Sequence, residues 1–144
     1  MLRDDMGNVI FDVKDASYSY LGKYPALNGV SLTVKRGESV AILGANGSGK
    51  STLLNHLAGL VFADRGVVTA FGKPLSPGLF QQEDFRKMFR SKVGILFQNS
   101  EIQLFCSTVE EEILFGPLQL DMPRDEMLKK YEEVVLLLGI GHLL

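Results

Sequence analysis

Residues 44–52 read GANGSGKST, which satisfies G-x-x-x-x-G-K-[ST] with Gly44, Gly49, Lys50 and Ser51. The chemistry of that spacing is the holding of phosphate. Glycines let a loop wrap a polyphosphate without Cβ clashes, so that successive backbone N–H groups point inward as an anion-binding nest. Lys50 adds a full positive charge within reach of the terminal phosphates. Ser51 places a hydroxyl where Mg²⁺, an oxygen-seeking cation that keeps several waters, can use it. Gly44, Ala45, Asn46, Gly47, Ser48, Gly49, Lys50, Ser51 and Thr52 are therefore the candidate phosphate-binding set, with Ser51 the candidate metal ligand.

Such a loop works only between particular elements. Residues 39–43 (SVAIL) form a short apolar, β-branched run expected to be a buried strand. Residues 51–58 carry Leu53, Leu54, Leu57 and Ala58 at helical spacing and are closed by Gly59. A helix there presents unpaired N–H groups and a partial positive charge to whatever the loop holds.

The rest of the chain supplies further elements. Residues 9–13 and 16–20 are expected as two strands flanking a polar break, and 27–34 as another, ended by a turn at Lys35-Arg36-Gly37-Glu38. A strand at 67–71, a turn at Gly72-Lys73-Pro74 and a helix over 82–90 follow, then a second buried strand at 93–97 (VGILF). Ser107 with Glu110 predicts a capped helix stopping at Gly116-Pro117. Pro123 opens a helix to about Leu138, with Met127, Tyr131, Val134 and Leu138 on one face and two i,i+4 pairs, Asp125–Lys129 and Glu126–Lys130, on the other. Strands alternating with helices around a glycine loop imply a three-layer α/β nucleotide fold.

Composition narrows the classes. With 144 residues, 46% of them hydrophobic, there is one domain's worth of chain and enough bulk for a core. A net charge of −2 gives no electrostatic case for nucleic acid. The longest apolar run, residues 134–138, is too short to cross a bilayer, and MLRDDMGN lacks the apolar stretch of a leader peptide. One cysteine, Cys106, excludes an internal disulfide and fits a reducing compartment. Cys106, His56 and His142 offer no soft-metal site, and a soluble cytosolic protein is expected. Cys106 reads as a small apolar residue, Glu110–Glu112 as the acidic first turn of a helix, and Arg86, Lys87, Arg90 and Lys92 as a solvated helix face.

The chain resembles the ATP-binding subunits of ABC transporters, and more narrowly the energy-coupling-factor, cobalt-type importers. The resemblance rests on YLGKYPALNGVSLTVKRGESVAILGANGSGKSTLLNHLAGL (20–60) and on VGILFQNSEIQLFCSTVEEEILFGPLQL (93–120), the more diagnostic segment. It implies a P-loop ATPase core with an antiparallel β layer at the N-terminus over residues 1–98. Residues 99–144 would then hold the Q-loop region and the start of a helical subdomain. It implies ATP and Mg²⁺ as cofactors and ATP hydrolysis coupled to solute import, the solute being cobalt, another metal ion or a vitamin.

Tyr20 matches the aromatic that stacks on adenine, although by pattern alone Tyr18 and Tyr20 read as one strand face. Gln98 matches the Q-loop glutamine, whose amide oxygen approaches Mg²⁺ and whose nitrogen approaches the attacking water. Residues 99–116 match the region that meets the membrane partner, which would put Leu104, Phe105 and Phe115 near a groove. The implied partners are a second ATP-binding subunit and transmembrane subunits. The implied location is the cytoplasmic face of the membrane.

Three elements of that family have no match in these residues: a glycine-rich signature, the Asp-Glu pair that ends an apolar strand, and a downstream switch histidine. The expectation is an N-terminal part, on the order of a hundred residues short of a complete domain. It would hold the phosphate end of ATP without hydrolysing it. The alternative is a nucleotide-binding or interaction module without turnover.

Overall fold

The computed structural model describes residues 8–144, so most of the MLRDDMGN segment, and the absence of a leader read from it, lie outside the described residues. Two compact units divide the chain, one ending at Arg86 and one running from Lys87 to Leu144.

The first unit is built on an antiparallel sheet in the order β2-β1-β3-β4. Strands β1 (Val9–Tyr20) and β2 (Tyr24–Lys35) form a long hairpin, and β3 (Arg65–Ala70) lies on the other side of β1. The short β4 (Lys73–Pro74) pairs with β3. Leu21 and Gly22 turn the hairpin with φ of 55° and 65°.

The two strands expected on either side of a polar break are one strand with a bulge. The pairing shifts between Val13 and Ala16, and Asp15 takes a φ of 48°. Ser31 stabilises the irregularity, its Oγ accepting from the Asp15 N–H at 3.0 Å. Gly66 faces it from β3, where a Cβ would lie 2.3 Å from the Asp15 carbonyl oxygen. A bulge bends a strand without ending it, so a local loss of alternation need not divide a strand. The expected turn at residues 72–74 also shifts. Phe71 and Gly72 make the turn with positive φ, and Lys73-Pro74 are already in β4.

Helix α1 (Lys50–Leu57) packs Leu53 into a core made by Val13, Ala16 and Leu27 of the hairpin and Val68 of β3. Full burial of an aliphatic side chain of this size is worth about 1.5–3 kcal/mol. Short α2 (Pro77–Gln81) starts on Ser76, whose Oγ accepts from Leu79 N–H at 3.2 Å. Phe80 of α2 contacts Phe62 and meets Phe85 edge-on at 5.2 Å. Phe85 belongs to α3 (Glu83–Lys92), which spans the division between the units.

The second unit contains α4 (Val109–Gln119) and α5 (Arg124–Leu138), which pack on each other. The capping box of α4 sits one residue later than expected: Thr108 is the N-cap and Glu111 its reciprocal partner. Nor do Gly116 and Pro117 end α4, since both lie inside it, three residues or fewer from its last residue. Helix α5 begins after Pro123 and ends at Gly139 with φ 65°, where the Ile140 N–H donates to the Val135 carbonyl and Gly139 N–H to Leu136. That pair of bonds is a Schellman motif. On α5 Met127 is buried, whereas Leu138, expected on the same face, is exposed. Of the two expected ion pairs, Lys130–Glu126 forms at 3.5 Å.

Residues 39–43 and 93–97, expected as buried strands, have no ladder partner among the described residues and are irregular. Leu43 is 89% and Leu96 81% exposed, although Ile42 reaches the core of the first unit. An apolar, β-branched run specifies a strand only when neighbours accept its hydrogen bonds.

Candidate functional site

The glycine loop joins β2 to α1 through a conformation that only glycines allow at two points. Gly47 has φ 80° and Gly49, the N-cap of α1, has φ 90°. At Gly49 the constraint is doubled, because a Cβ would lie 2.3 Å from the Ala26 carbonyl oxygen of β2. The loop is thus pressed against the hairpin. Within it the Ser48 N–H donates to the Ala45 carbonyl at 3.2 Å. No side chain caps α1, so its first N–H groups are left for another acceptor.

Lys50 folds over the loop. Its ammonium donates to the Gly44 carbonyl at 3.0 Å and to the Ala45 carbonyl at 2.7 Å. Two of its three protons are used, and the charge is held at the loop. Ser51 is exposed at the second position of α1. Asn46 is exposed as well.

Gly47, Gly49, Lys50, Ser51 and Thr52 line one cavity of about 310 Å³ together with Tyr20 and Tyr24 from the end of the hairpin. The donor set suits an anion with a bound cation: loop and helix N–H groups, one ammonium and one free hydroxyl. It also suits a flat ring, since the tyrosines stand beside it. Gly44, Ala45, Asn46 and Ser48 shape the loop but do not line that cavity.

Thr52, the last of the candidate phosphate-binding set, faces inward. It is buried, its Oγ1 lies 3.2 Å from the Tyr20 hydroxyl, and its carbonyl accepts from His56 Nδ1 at 2.8 Å. A carbonyl can only accept, so Nδ1 carries the proton. His56, which offers no metal site, is on the buried side of α1, with Tyr18 edge-on at 4.9 Å and Nε2 without a hydrogen-bond partner among the described residues. Tyr18 also meets Tyr20 edge-on at 5.0 Å. The two tyrosines therefore divide their roles: Tyr18 packs inward as a support, and Tyr20 reaches the cavity.

Gln98 lies in the second unit, at an exposed bend after residues 93–97. The segment before it is clipped by Gln103, whose Oε1 accepts from the Phe97 N–H and whose Nε2 donates to the Ile95 carbonyl, both at 3.4 Å. Gln103, in the 3-10 turn Ser100–Gln103, thus stands in for a strand neighbour. Gln103 lies within the 93–120 segment but has no role in the sequence pattern, and Tyr24 has none either. Its signal was its position, directly opposite Tyr20 across the hairpin.

The acidic first turn of α4 does more than suit a helix dipole. One oxygen of Glu111 accepts from Ser107 and Thr108 N–H, and one of Glu112 from Phe105 and Cys106 N–H at 3.2 and 3.0 Å. The Cys106 N–H, with that of Phe105, holds the Glu112 carboxyl below the usual glutamate range. Burial, then the hydrogen bond to Glu112 and the charge beside it, push the Cys106 thiol up. Lys87, expected as a solvated charge, forms an ion pair with Asp121. Leu104 and Phe105 are well exposed, and Phe105 meets Phe115 edge-on at 4.6 Å.

Comparison with known proteins matches residues 27–144 to the family model described as ABC transporter. The nickel import ATP-binding protein NikO of Rhodobacter capsulatus is 45% identical over 133 residues, covering 92% of this chain and 52% of that protein. The energy-coupling factor transporter ATP-binding protein EcfA of Methanothermobacter thermautotrophicus is 40% identical over 92% of this chain and 41% of its own length. Among solved structures, cbiO1 of Clostridium perfringens, described as part of the ABC transporter complex cbiONQ, superposes with a TM-score of 0.76. It is 33% identical and covers 94% of this chain and 53% of that one. The chain spans about half the length of the curated relatives it matches.

Proposed function

Since the chain belongs to the ABC transporter family of ATP-binding subunits, whose members hydrolyse ATP, we propose that its glycine loop binds the phosphates of Mg-ATP. In the longer protein that binding would drive import through membrane partners. The observation that carries this reading is the convergence of Gly47, Gly49, Lys50 and Ser51 with Tyr20 around one cavity.

Lys50 and the N–H groups opening α1 hold the phosphate oxygens, and Ser51 supplies the hydroxyl for Mg²⁺. Gln98 is assigned the second Mg²⁺ contact and the orientation of water. Tyr20 supports the adenine. A bound Mg²⁺ would supply charge neutralisation between the terminal phosphates. Residues 99–116, with Leu104 and Phe105 exposed, are assigned to the contact with transmembrane subunits, and a second ATP-binding subunit completes the assembly. Among the described residues no helix is long and apolar enough to cross a membrane, which fits a peripheral subunit on the inner face. The name of one relative, a nickel import ATP-binding protein, supports a metal ion such as nickel as the solute.

For residues 1–144 by themselves, the lack of an Asp-Glu pair at the end of an apolar strand favours binding without turnover. Calorimetry with Mg-ATP tests the core of the reading. Lys50→Ala should weaken binding at least about tenfold, roughly 1.4 kcal/mol, through loss of a charge-assisted contact. Equal affinities for the two proteins would sink the phosphate-loop assignment. The solute is tested by nickel uptake in cells carrying the whole transporter, with and without Lys50→Ala in this subunit; unchanged uptake would sink that part.

A further inference from the structure

We propose that Tyr24 is a second aromatic wall of the base subsite, so that two tyrosines rather than one recognise the nucleotide base. The inference rests on the nucleotide reading above and deepens it. Tyr24 opens β2 and is the direct cross-strand partner of Tyr20. Directly paired residues project from the same face of a hairpin, with Cβ atoms about 4.5–5.5 Å apart. The tight turn holds that pairing, since Lys23 N–H donates to the Tyr20 carbonyl at 3.0 Å.

Both rings line the cavity that Lys50, Ser51 and Thr52 line, and Tyr24 is 65% exposed there. The two rings differ in freedom. Tyr20 is pinned by its hydroxyl to Thr52 and by its edge to Tyr18, whereas no side-chain hydrogen bond or ring contact joins the Tyr24 ring to another described residue. A pinned ring is suited to be a fixed platform, and a free one to close on what lies against that platform. A base between them loses water from more of its surface than one stacked on Tyr20 alone. Any purine face suffices for such contacts, so the gain depends on ring area and not on hydrogen-bond pattern.

The test is calorimetry of Mg-ATP and of magnesium tripolyphosphate with the wild-type chain, Tyr24→Ala and Tyr24→Phe, with Lys50→Ala as a phosphate control. Tyr24→Ala should weaken Mg-ATP by about fivefold or more while leaving tripolyphosphate unchanged. Tyr24→Phe, which keeps the ring face, should stay within about twofold of wild type. Mg-ATP affinity unchanged in Tyr24→Ala, with Lys50→Ala still impaired, overturns the second wall and leaves the nucleotide site standing. Equal losses on both ligands also overturn it, because they mean a disturbed hairpin. If the wild type binds neither ligand, the nucleotide reading fails and the inference falls with it.

Discussion

The Tyr20 hydroxyl and the Thr52 Oγ1 lie 3.2 Å apart, joining the end of the first hairpin strand to the first turn of the helix behind the glycine loop. The Thr52 carbonyl in turn accepts from His56 Nδ1, and Tyr18 stacks edge-on against both His56 and Tyr20, so four residues close a ring around that junction. The ring sets where Tyr20 stands relative to Lys50, although thirty residues separate them in sequence.

That ring separates the two tyrosines experimentally. Tyr20→Ala should weaken Mg-ATP severalfold and leave tripolyphosphate nearly unchanged, since stacking acts on the base. Tyr18→Ala should mainly lower the melting temperature, because Tyr18 packs against the core. Reversed behaviour in paired calorimetry and thermal melts would show that Tyr18 is the base contact.

Gly49→Ala should destabilise the fold as well as the site. The positive φ alone costs on the order of 1–3 kcal/mol in a non-glycine residue. The added Cβ would also strike the Ala26 carbonyl, which is backbone and cannot swing aside. Gly47→Ala, with equal strain but open space around it, should cost less. Comparable melting temperatures for the two variants would contradict the close approach of loop and hairpin.

Glu112 gives a pH signature. Its folded pKa is lowered by the N–H groups of Cys106 and Phe105. Its contribution to local stability is therefore complete above the ordinary glutamate pKa and lost as pH falls from there through the lowered folded value. Amide resonances of Phe105 and Cys106 should titrate in that acid window, and Glu112→Gln should abolish the titration. The same substitution removes the charge that helps raise the Cys106 thiol, so alkylation of Cys106 near pH 8 should quicken. Resonances flat through the acid window in the wild type would contradict the carboxylate's role.

Turnover needs a carboxylate that orients water, and residues 1–144 contain no Asp-Glu pair at the end of an apolar strand. Purified residues 1–144 should show no ATPase activity above background. Steady hydrolysis abolished by Lys50→Ala would reveal an unrecognised catalytic carboxylate, with Glu101, exposed three residues after Gln98, the first to examine.

What the sequence determined by itself is what neighbours along the chain decide. The spacing of Gly44, Gly49 and Lys50, the start of a helix at residues 50–51 and its stop at Gly59 depend on backbone conformations that residue types a few positions apart specify. Likewise α5 starts after Pro123 and runs to Leu138, as expected. Tertiary structure decided the rest. Whether the polar break at Lys14-Asp15 ends a strand depended on Ser31 and Gly66, which come from other strands. Whether residues 39–43 and 93–97 become strands depends on a neighbouring strand to pair with, and the described residues offer none; the Gln103 amide takes that place for the second segment. Which tyrosine faces the cavity was set by Thr52 and His56 across the fold, and Tyr24 entered the site only because a three-residue turn places it opposite Tyr20. Turns and caps are local energies, written in adjacent residues. Packing and pairing are energies between distant ones, and only the folded chain brings those together.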